Sequence, residues 1–94
     1  MKVEIKYMAG EEPIEQIFIT ETSNDCARGM YNILNHKLFD DETTAEDADE
    51  LFRDPSYYRD GGKPGNLKSF VNLLADRYEN LKYIAIDGEV VLDR

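Results

Sequence analysis

Near the C-terminus, Tyr83-Ile84-Ala85-Ile86 and Glu89-Val90-Val91-Leu92-Asp93 are joined by Asp87-Gly88 alone. Two β-rich runs separated by that dipeptide form a strong hairpin signal, because a two-residue turn of this kind needs φ > 0 at both positions. The implied register sets Ile84 opposite Val91 and Ala85 opposite Val90, so both faces of the hairpin carry apolar side chains. Such a hairpin calls for partial cover on both sides, or for a protein contact on the second face. The N-terminus has the same character. Over residues 2–8, Val3, Ile5 and Tyr7 alternate with Lys2, Glu4, Lys6 and Met8, the period of a half-buried strand. Ala9-Gly10-Glu11-Glu12-Pro13 reads as a turn. Residues 14–21 then place Ile17 and Ile19 on one face and Ile14 and Phe18 on the other, which completes a second antiparallel hairpin.

Between the hairpins the period changes. Thr22-Ser23-Asn24-Asp25 offers several N-caps, and Cys26, Met30, Ile33, Leu34 and Leu38 recur at helical spacing, so a first helix is predicted over about 24–38. Thr43-Thr44-Ala45-Glu46 fits the capping box, and Ala45, Ala48, Leu51 and Phe52 form the narrow apolar stripe of a short second helix ending before Pro55. Residues 54–65 gather two of the three prolines and three of the six glycines and read as a loop. Asn66 then caps a third helix in which Leu67, Phe70, Val71, Leu74, Tyr78 and Leu81 follow the i, i+3, i+4, i+7 pattern. The predicted fold is α+β: N- and C-terminal antiparallel β-hairpins forming one sheet packed against about three helices, in the order β-β-α-α-α-β-β, as a single domain over residues 1–94. A chain of this length buries roughly 60–65% of the surface its unfolded form exposes, enough for one core.

Charge narrows the function. Twenty Asp and Glu against eleven Lys and Arg leave a formal net charge of −9, which repels nucleic acid and anionic membrane surfaces. Neither is expected as a direct partner. The one cysteine, Cys26, permits no intrachain disulfide and no multi-cysteine zinc framework. The alternating N-terminus does not read as a signal peptide, and no run approaches the ~18 apolar residues of a membrane span. A cytoplasmic location is the default expectation.

The most informative segment is Asp40 to Asp54. Asp40, Asp41, Glu42, Glu46, Asp47, Asp49, Glu50 and Asp54 stand there against Arg53 alone, a net −7 in 15 residues. Glu42, Glu46 and Glu50 are four apart, which predicts a row along one helical face at about 6 Å spacing. Like charges so placed destabilise a helix by about 0.2–0.5 kcal/mol per pair, and Glu50 and Asp54 lie toward the end that the helix dipole disfavours. A local conflict of that kind points to function, here an anionic surface imitating a row of phosphates. The bland alternative is a solvated helix face that keeps the protein dispersed. The run does not match a calcium loop: counted from Asp41, the third, fifth and sixth positions are Thr43, Ala45 and Glu46.

Three further features are weaker. Cys26 and His36 lie ten residues apart on the predicted first helix, about 15 Å along its axis, too far to act as a nucleophile and base. Cys26 reads as a small core residue and His36 as a polar residue near the helix end. Gly61-Gly62-Lys63-Pro64-Gly65-Asn66 resembles a phosphate-binding loop in its glycines but lacks the required spacing, the Ser or Thr and the preceding strand. Tyr57, Tyr58 and Arg59 offer a recognition tip for a protein, since Tyr and Arg are favoured interface anchors, or else rings packed on the helices.

In size and charge the chain resembles the broad class of small acidic proteins, many from phages and mobile elements, that inhibit restriction or CRISPR machinery. That resemblance rests on charge and length, so it favours mimicry and transfers no site residues. Read from its own residues, the chain is expected to be a non-enzymatic inhibitor without cofactor or metal, which uses the Asp40–Asp54 surface, with Tyr57, Tyr58 and Arg59 beside it, to occupy a basic nucleic-acid-binding groove of a partner protein. Two other expectations stand beside it. One is an adaptor or homodimeric assembly domain using a sheet edge or the outer face of the last hairpin. The other is a divalent-metal-dependent hydrolase built on the clustered carboxylates.

Overall fold

The computed structural model describes residues 1–58 and 61–94. The alternation at the N-terminus becomes β1 (Lys2–Ala9), which buries Val3, Ile5 and Tyr7 and turns Lys2 and Lys6 to solvent. β1 pairs on both sides, with β2 (Glu12–Ile19) and with β3 (Leu81–Ile86), and β4 (Glu89–Asp93) lies beyond β3. The result is one antiparallel sheet in the order β2-β1-β3-β4. β1 is therefore the hinge between the two hairpins that the sequence predicts. Asp87 locks them together, because its N–H donates to the Lys2 carbonyl and its Oδ1 accepts from the Lys2 N–H, both at 2.8 Å.

The Asp87-Gly88 turn forms as expected, with φ of 51° and 81°. The predicted register holds for Ala85 and Val90, but Ile84 pairs with Leu92 and not with Val91. A bulge between Ile84 and Ala85 absorbs the extra residue, and its consequence is that Val91 and Leu92 both pack against the core. The first turn is also tighter than its sequence suggests. β2 begins at Glu12 and includes Pro13, leaving only Gly10 and Glu11 between the strands. Proline is tolerated there because β2 is an edge strand with no second partner for its missing N–H.

Helix α1 (Ser23–Leu34) starts at Thr22, whose hydroxyl accepts from the Asp25 N–H at 3.1 Å, and buries Cys26, Ala27, Met30, Ile33 and Leu34. It stops four residues short of the predicted end. His36 sits at φ 61°, its N–H donates to Ile33 O at 3.0 Å, and Lys37 N–H donates to Asn32 O at 2.9 Å. This pair of bonds is a Schellman ending, so His36 lies beyond the helix and Leu38 is left 74% exposed. Helix α2 (Ala45–Arg53) buries Ala48, Leu51 and Phe52. The expected capping box does not form. Thr43 turns its hydroxyl and N–H to Asp41 Oδ1, and Thr44 gives its hydroxyl to Asn32 Oδ1.

Helix α3 (Leu67–Arg77) is capped by Asn66, which accepts from the Ser69 N–H at 3.1 Å, and it buries Phe70, Val71, Leu74 and Ala75. Leu81, predicted to continue its stripe, instead opens β3. The Arg94 guanidinium helps fix this boundary by donating to the carbonyls of Ala75, Tyr78 and Leu81 at 2.8–2.9 Å. Phe52 meets Phe70 edge to face at 5.3 Å, which joins α2 and α3 over the core. α1 and α3 pack on the face of the sheet that carries Val3, Ile5 and Ile84. The opposite face leaves Ile17, Ile19 and Val90 exposed. No helix among the described residues is long and apolar enough to cross a membrane.

Candidate functional site

The acidic segment runs from the loop after α1, along α2, and into a 3₁₀ turn at Pro55–Tyr57. Its placement begins with Asn32, a polar residue only 1% exposed on the core side of α1. The Asn32 amide donates to the carbonyls of Asp41 (2.6 Å) and Phe39 (3.3 Å), and its oxygen accepts from Thr44. One buried side chain thus ties down the loop that presents Asp40, Asp41 and Glu42. Its partners are 7 to 12 residues away. Its sequence signal is a lone amide within the apolar run Tyr31-Asn32-Ile33-Leu34, which hydrophobic periodicity does not register.

The eight carboxylates divide into two groups. Asp49 is engaged by Arg28, whose Nε reaches Oδ1 at 2.8 Å and whose second nitrogen reaches Oδ2 at 2.6 Å, while Asn24 donates to Oδ1 at 2.8 Å. The Arg28 hydrogen bond is the largest influence holding the Asp49 carboxyl below its ordinary range, and Asp49 in return raises the Arg28 guanidinium. This clasp joins α1 to α2. Asp41 accepts from Thr43, and the Thr43 hydroxyl and N–H depress its carboxyl. Asp54 caps the 3₁₀ turn by accepting from the Ser56 N–H at 2.9 Å, which lowers its carboxyl in the same way. Three of the predicted partner-binding residues therefore serve the fold.

Asp40, Glu42, Glu46, Asp47 and Glu50 remain exposed, and none joins an ion pair with Lys or Arg among the described residues. Glu42 precedes α2, so the predicted three-residue row along one helix shortens to Glu46 and Glu50, one turn apart. With Ala48, Leu51 and Phe52 turned inward, helical geometry sends Glu46 and Glu50 directly outward and Asp47 to one side. Glu50 accepts a long hydrogen bond of 3.3 Å from the Tyr57 hydroxyl, and its charge raises the Tyr57 phenol.

The tyrosines part company. Tyr57 is 37% exposed, beside Glu50. Tyr58 is half-buried, donates to the Phe52 carbonyl at 2.9 Å, and has its phenol pushed up to about 12 by burial. It fastens the 3₁₀ turn to the end of α2 and does not belong to an exposed tip. Arg59, the third member of that predicted tip, lies outside the described residues.

A cleft of about 350 Å³ opens at the start of the flank, between the end of β2, α1 and the 39–45 loop. Glu21 and Asp25 join Asp40, Asp41 and Glu42 around it, with Arg28 in its wall and Ile19 and Phe39 on its apolar side. Phe39 is 42% exposed and stacks on the buried Phe18 at 5.5 Å. Sequence reasoning missed Glu21, Asp25 and Phe39, because only the meeting of β2 with the loop twenty residues later brings them to the cluster.

Among the described residues, no three His, Cys, Asp or Glu side chains are grouped to hold a metal ion. Cys26 is fully buried, with its thiol pushed up to about 12 by desolvation, and His36 is exposed past the helix end. No protein-family model, curated protein or solved structure matches the chain.

Proposed function

We propose that this chain is a non-enzymatic regulator or inhibitor that docks onto the basic, nucleic-acid-binding site of a partner protein. The observation that carries the proposal is the set of five carboxylates, Asp40, Glu42, Glu46, Asp47 and Glu50. They are exposed and joined to no lysine or arginine among the described residues: Asp40 and Glu42 stand by the cleft, Glu46 and Glu50 on the outer face of α2, and Asp47 to one side of it. Such a surface attracts a positive groove over about a Debye length, ~8 Å at physiological salt. Phe39 and Ile19 at one end and Tyr57 at the other add apolar contact, which turns general charge attraction into a shaped interface.

The test begins with affinity capture from the native host at low salt, followed by a high-salt wash. The captured protein is then assayed for binding to a double-stranded oligonucleotide with and without the chain. The expected result is competition that weakens as salt rises. The variant E42Q/E46Q/D47N/E50Q should compete more weakly by about 1–4 kcal/mol, at roughly 0.2–1 kcal/mol per exposed pair. Asp49 is kept in that variant because its charge is already spent on Arg28. Equal competition by parent and variant would overturn the proposal.

A further inference from the structure

We propose that the cleft between the end of β2, α1 and the 39–45 loop receives one arginine side chain of the basic partner, which deepens the proposed function and rests on it. The cleft holds about 350 Å³, the low end of ligand-sized pockets, and suits a single long side chain. Charge sets the sign of what enters. Glu21, Asp25, Asp40, Asp41 and Glu42 surround the cleft, and the one guanidinium in its wall is already engaged. Arg28 gives Nε and one terminal nitrogen to Asp49, and its other terminal nitrogen lies 3.8 Å from Asp25. Glu21, Asp40 and Glu42 join no ion pair among the described residues. A metal ion does not suit the same carboxylates, because no three of them are grouped to share one among the described residues.

Charge alone does not make a site, and two further features of the walls point to a planar cation. Phe39 stacks on the buried Phe18 at 5.5 Å and is still 42% exposed. A ring supported on one side and open to the cleft is a platform for a guanidinium. The second feature is Thr20. Its N–H donates to the Met1 carbonyl at 2.9 Å, so it carries the alternation of β2 one residue further and turns to the helix side with Phe18. Its hydroxyl oxygen is the one buried side-chain oxygen without a hydrogen-bond partner among the described residues. Buried polar atoms are paired as a rule, so this hydroxyl, in the wall of a carboxylate-lined cleft, marks a place for a donor. Arginine meets these requirements together. Its guanidinium is planar and weakly hydrated, stacks on aromatic faces, and carries a fork of N–H donors that suits carboxylates, whereas the lysine ammonium is a compact, strongly hydrated point charge.

Titration of the nitrogen-15-labelled full chain with N-acetyl-L-arginine amide, followed by amide chemical shifts at about 20 mM salt, tests the proposal. The expected result is saturable shifts confined to residues 19–21 and 39–42, with a millimolar Kd that weakens as salt is added. N-acetyl-L-citrulline amide, of the same shape but uncharged, should bind about tenfold or more weakly, and N-acetyl-L-lysine amide about threefold or more weakly. E21Q/D40N, which alters exposed residues, and separately F39L and T20V should each weaken the arginine probe about threefold or more. E11Q/E12Q removes the same charge at the other end of β2 and should change the Kd by less than about twofold. The cleft is refuted by the lack of any saturable shift there up to about 50 mM probe, or by lysine binding as tightly as arginine. It is refuted too if E21Q/D40N and F39L bind the probe as E11Q/E12Q does. In the partner competition assay, E21Q/D40N should compete about threefold or more weakly than E11Q/E12Q. An inert cleft in a chain that still competes overturns the arginine site and leaves the proposed function in place. A chain that binds the probe but displaces no nucleic acid overturns the proposed function while the preference of the cleft for arginine stands.

Discussion

Replacing Asp49 with Asn separates what the acidic run does for the fold from what it offers a partner. The carboxylate holds a two-pronged bond to Arg28, at 2.6 and 2.8 Å, and a third bond to Asn24. Buried bonds to charged groups contribute about 1.5–3 kcal/mol each. Here the side chains of Arg28 and Asp49 are 39% and 34% exposed, so solvent screening brings the coupling of the pair down to about 1 kcal/mol. In a domain of this size that corresponds to a fall in Tm of roughly 4–8 °C. Arg28 keeps Asp25 at 3.8 Å, which prevents a larger loss. The pH dependence has a definite sign. The folded Asp49 carboxyl is held below its ordinary value, chiefly by Arg28, so its contribution is present above the unfolded pKa of about 3.9. It is lost as pH falls through the lower folded value. Urea unfolding of the parent, D49N, R28Q and the double variant, each followed from pH 7 to pH 2, measures both quantities. The clasp is refuted by a coupling energy below about 0.3 kcal/mol, or by an acid limb as steep in D49N as in the parent. In the partner competition assay, D49N should behave as the parent wherever it is folded.

Two other substitutions test the packing around α1. A Cβ built on Gly29 would lie 2.5 Å from Cε2 of Phe18, a buried ring that also stacks on Phe39. G29A should therefore destabilise by about 1 kcal/mol, an overpacking cost of ~1–3 kcal/mol outweighing the ~1 kcal/mol that Ala gains in a helix. In an F18L background the same change should become neutral or stabilising, and a stabilising G29A with Phe18 intact would refute the clash. H36G should stabilise by about 0.5–1 kcal/mol in urea. The left-handed φ of 61° costs an L-residue ~1–2 kcal/mol, and the greater freedom of unfolded glycine offsets ~0.5–1 of it. A less stable H36G would show that the imidazole makes a contact of greater worth.

The strands and helices were legible because their signals are local. Asp87-Gly88 fixes its own backbone, and Val3, Ile5 and Tyr7 need only a period of two to declare a buried face. The failures lie where a local signal competes with a distant partner. Leu38 fits the α1 stripe, yet the helix ends earlier because Asn32 is wanted by the carbonyls of Phe39 and Asp41. The Thr43–Glu46 capping box is a valid local solution, but the Thr43 hydroxyl and N–H both turn to Asp41 Oδ1, while the Thr44 hydroxyl donates to Asn32 Oδ1. Val91 leaves the register of a plain two-residue hairpin because a bulge is decided by which side chains the core can take, which no pairwise register reveals. The acidic site was legible as composition only. Nothing near Asp49 in sequence indicates Arg28, 21 residues away, as the group that removes it from the exposed set.

That removal bears on why the run is tolerated at all. If all eight charges stood free, a helix of only nine residues would carry repulsion with little to offset it. Instead Asp41 and Asp54 are absorbed at the two ends of α2 as turn acceptors, and Asp49 holds the helix against α1. The Asp54 cap, the Asp49 clasp and the burial of Ala48, Leu51 and Phe52 secure the segment from three directions. Each of these anchors constrains the helix without covering its outer face. Glu46 and Glu50 are then held one turn apart by a scaffold that does not depend on them, with the like-charge cost of a few tenths of a kcal/mol borne by the core. A segment selected only for dispersal in water would need the charges but not the anchors. Fixed spacing is what a shaped, basic groove reads. In E46Q/E50Q the relief of like-charge repulsion is offset by the loss of a first-turn carboxylate, so stability should stay within about 0.5 kcal/mol of the parent while partner binding weakens.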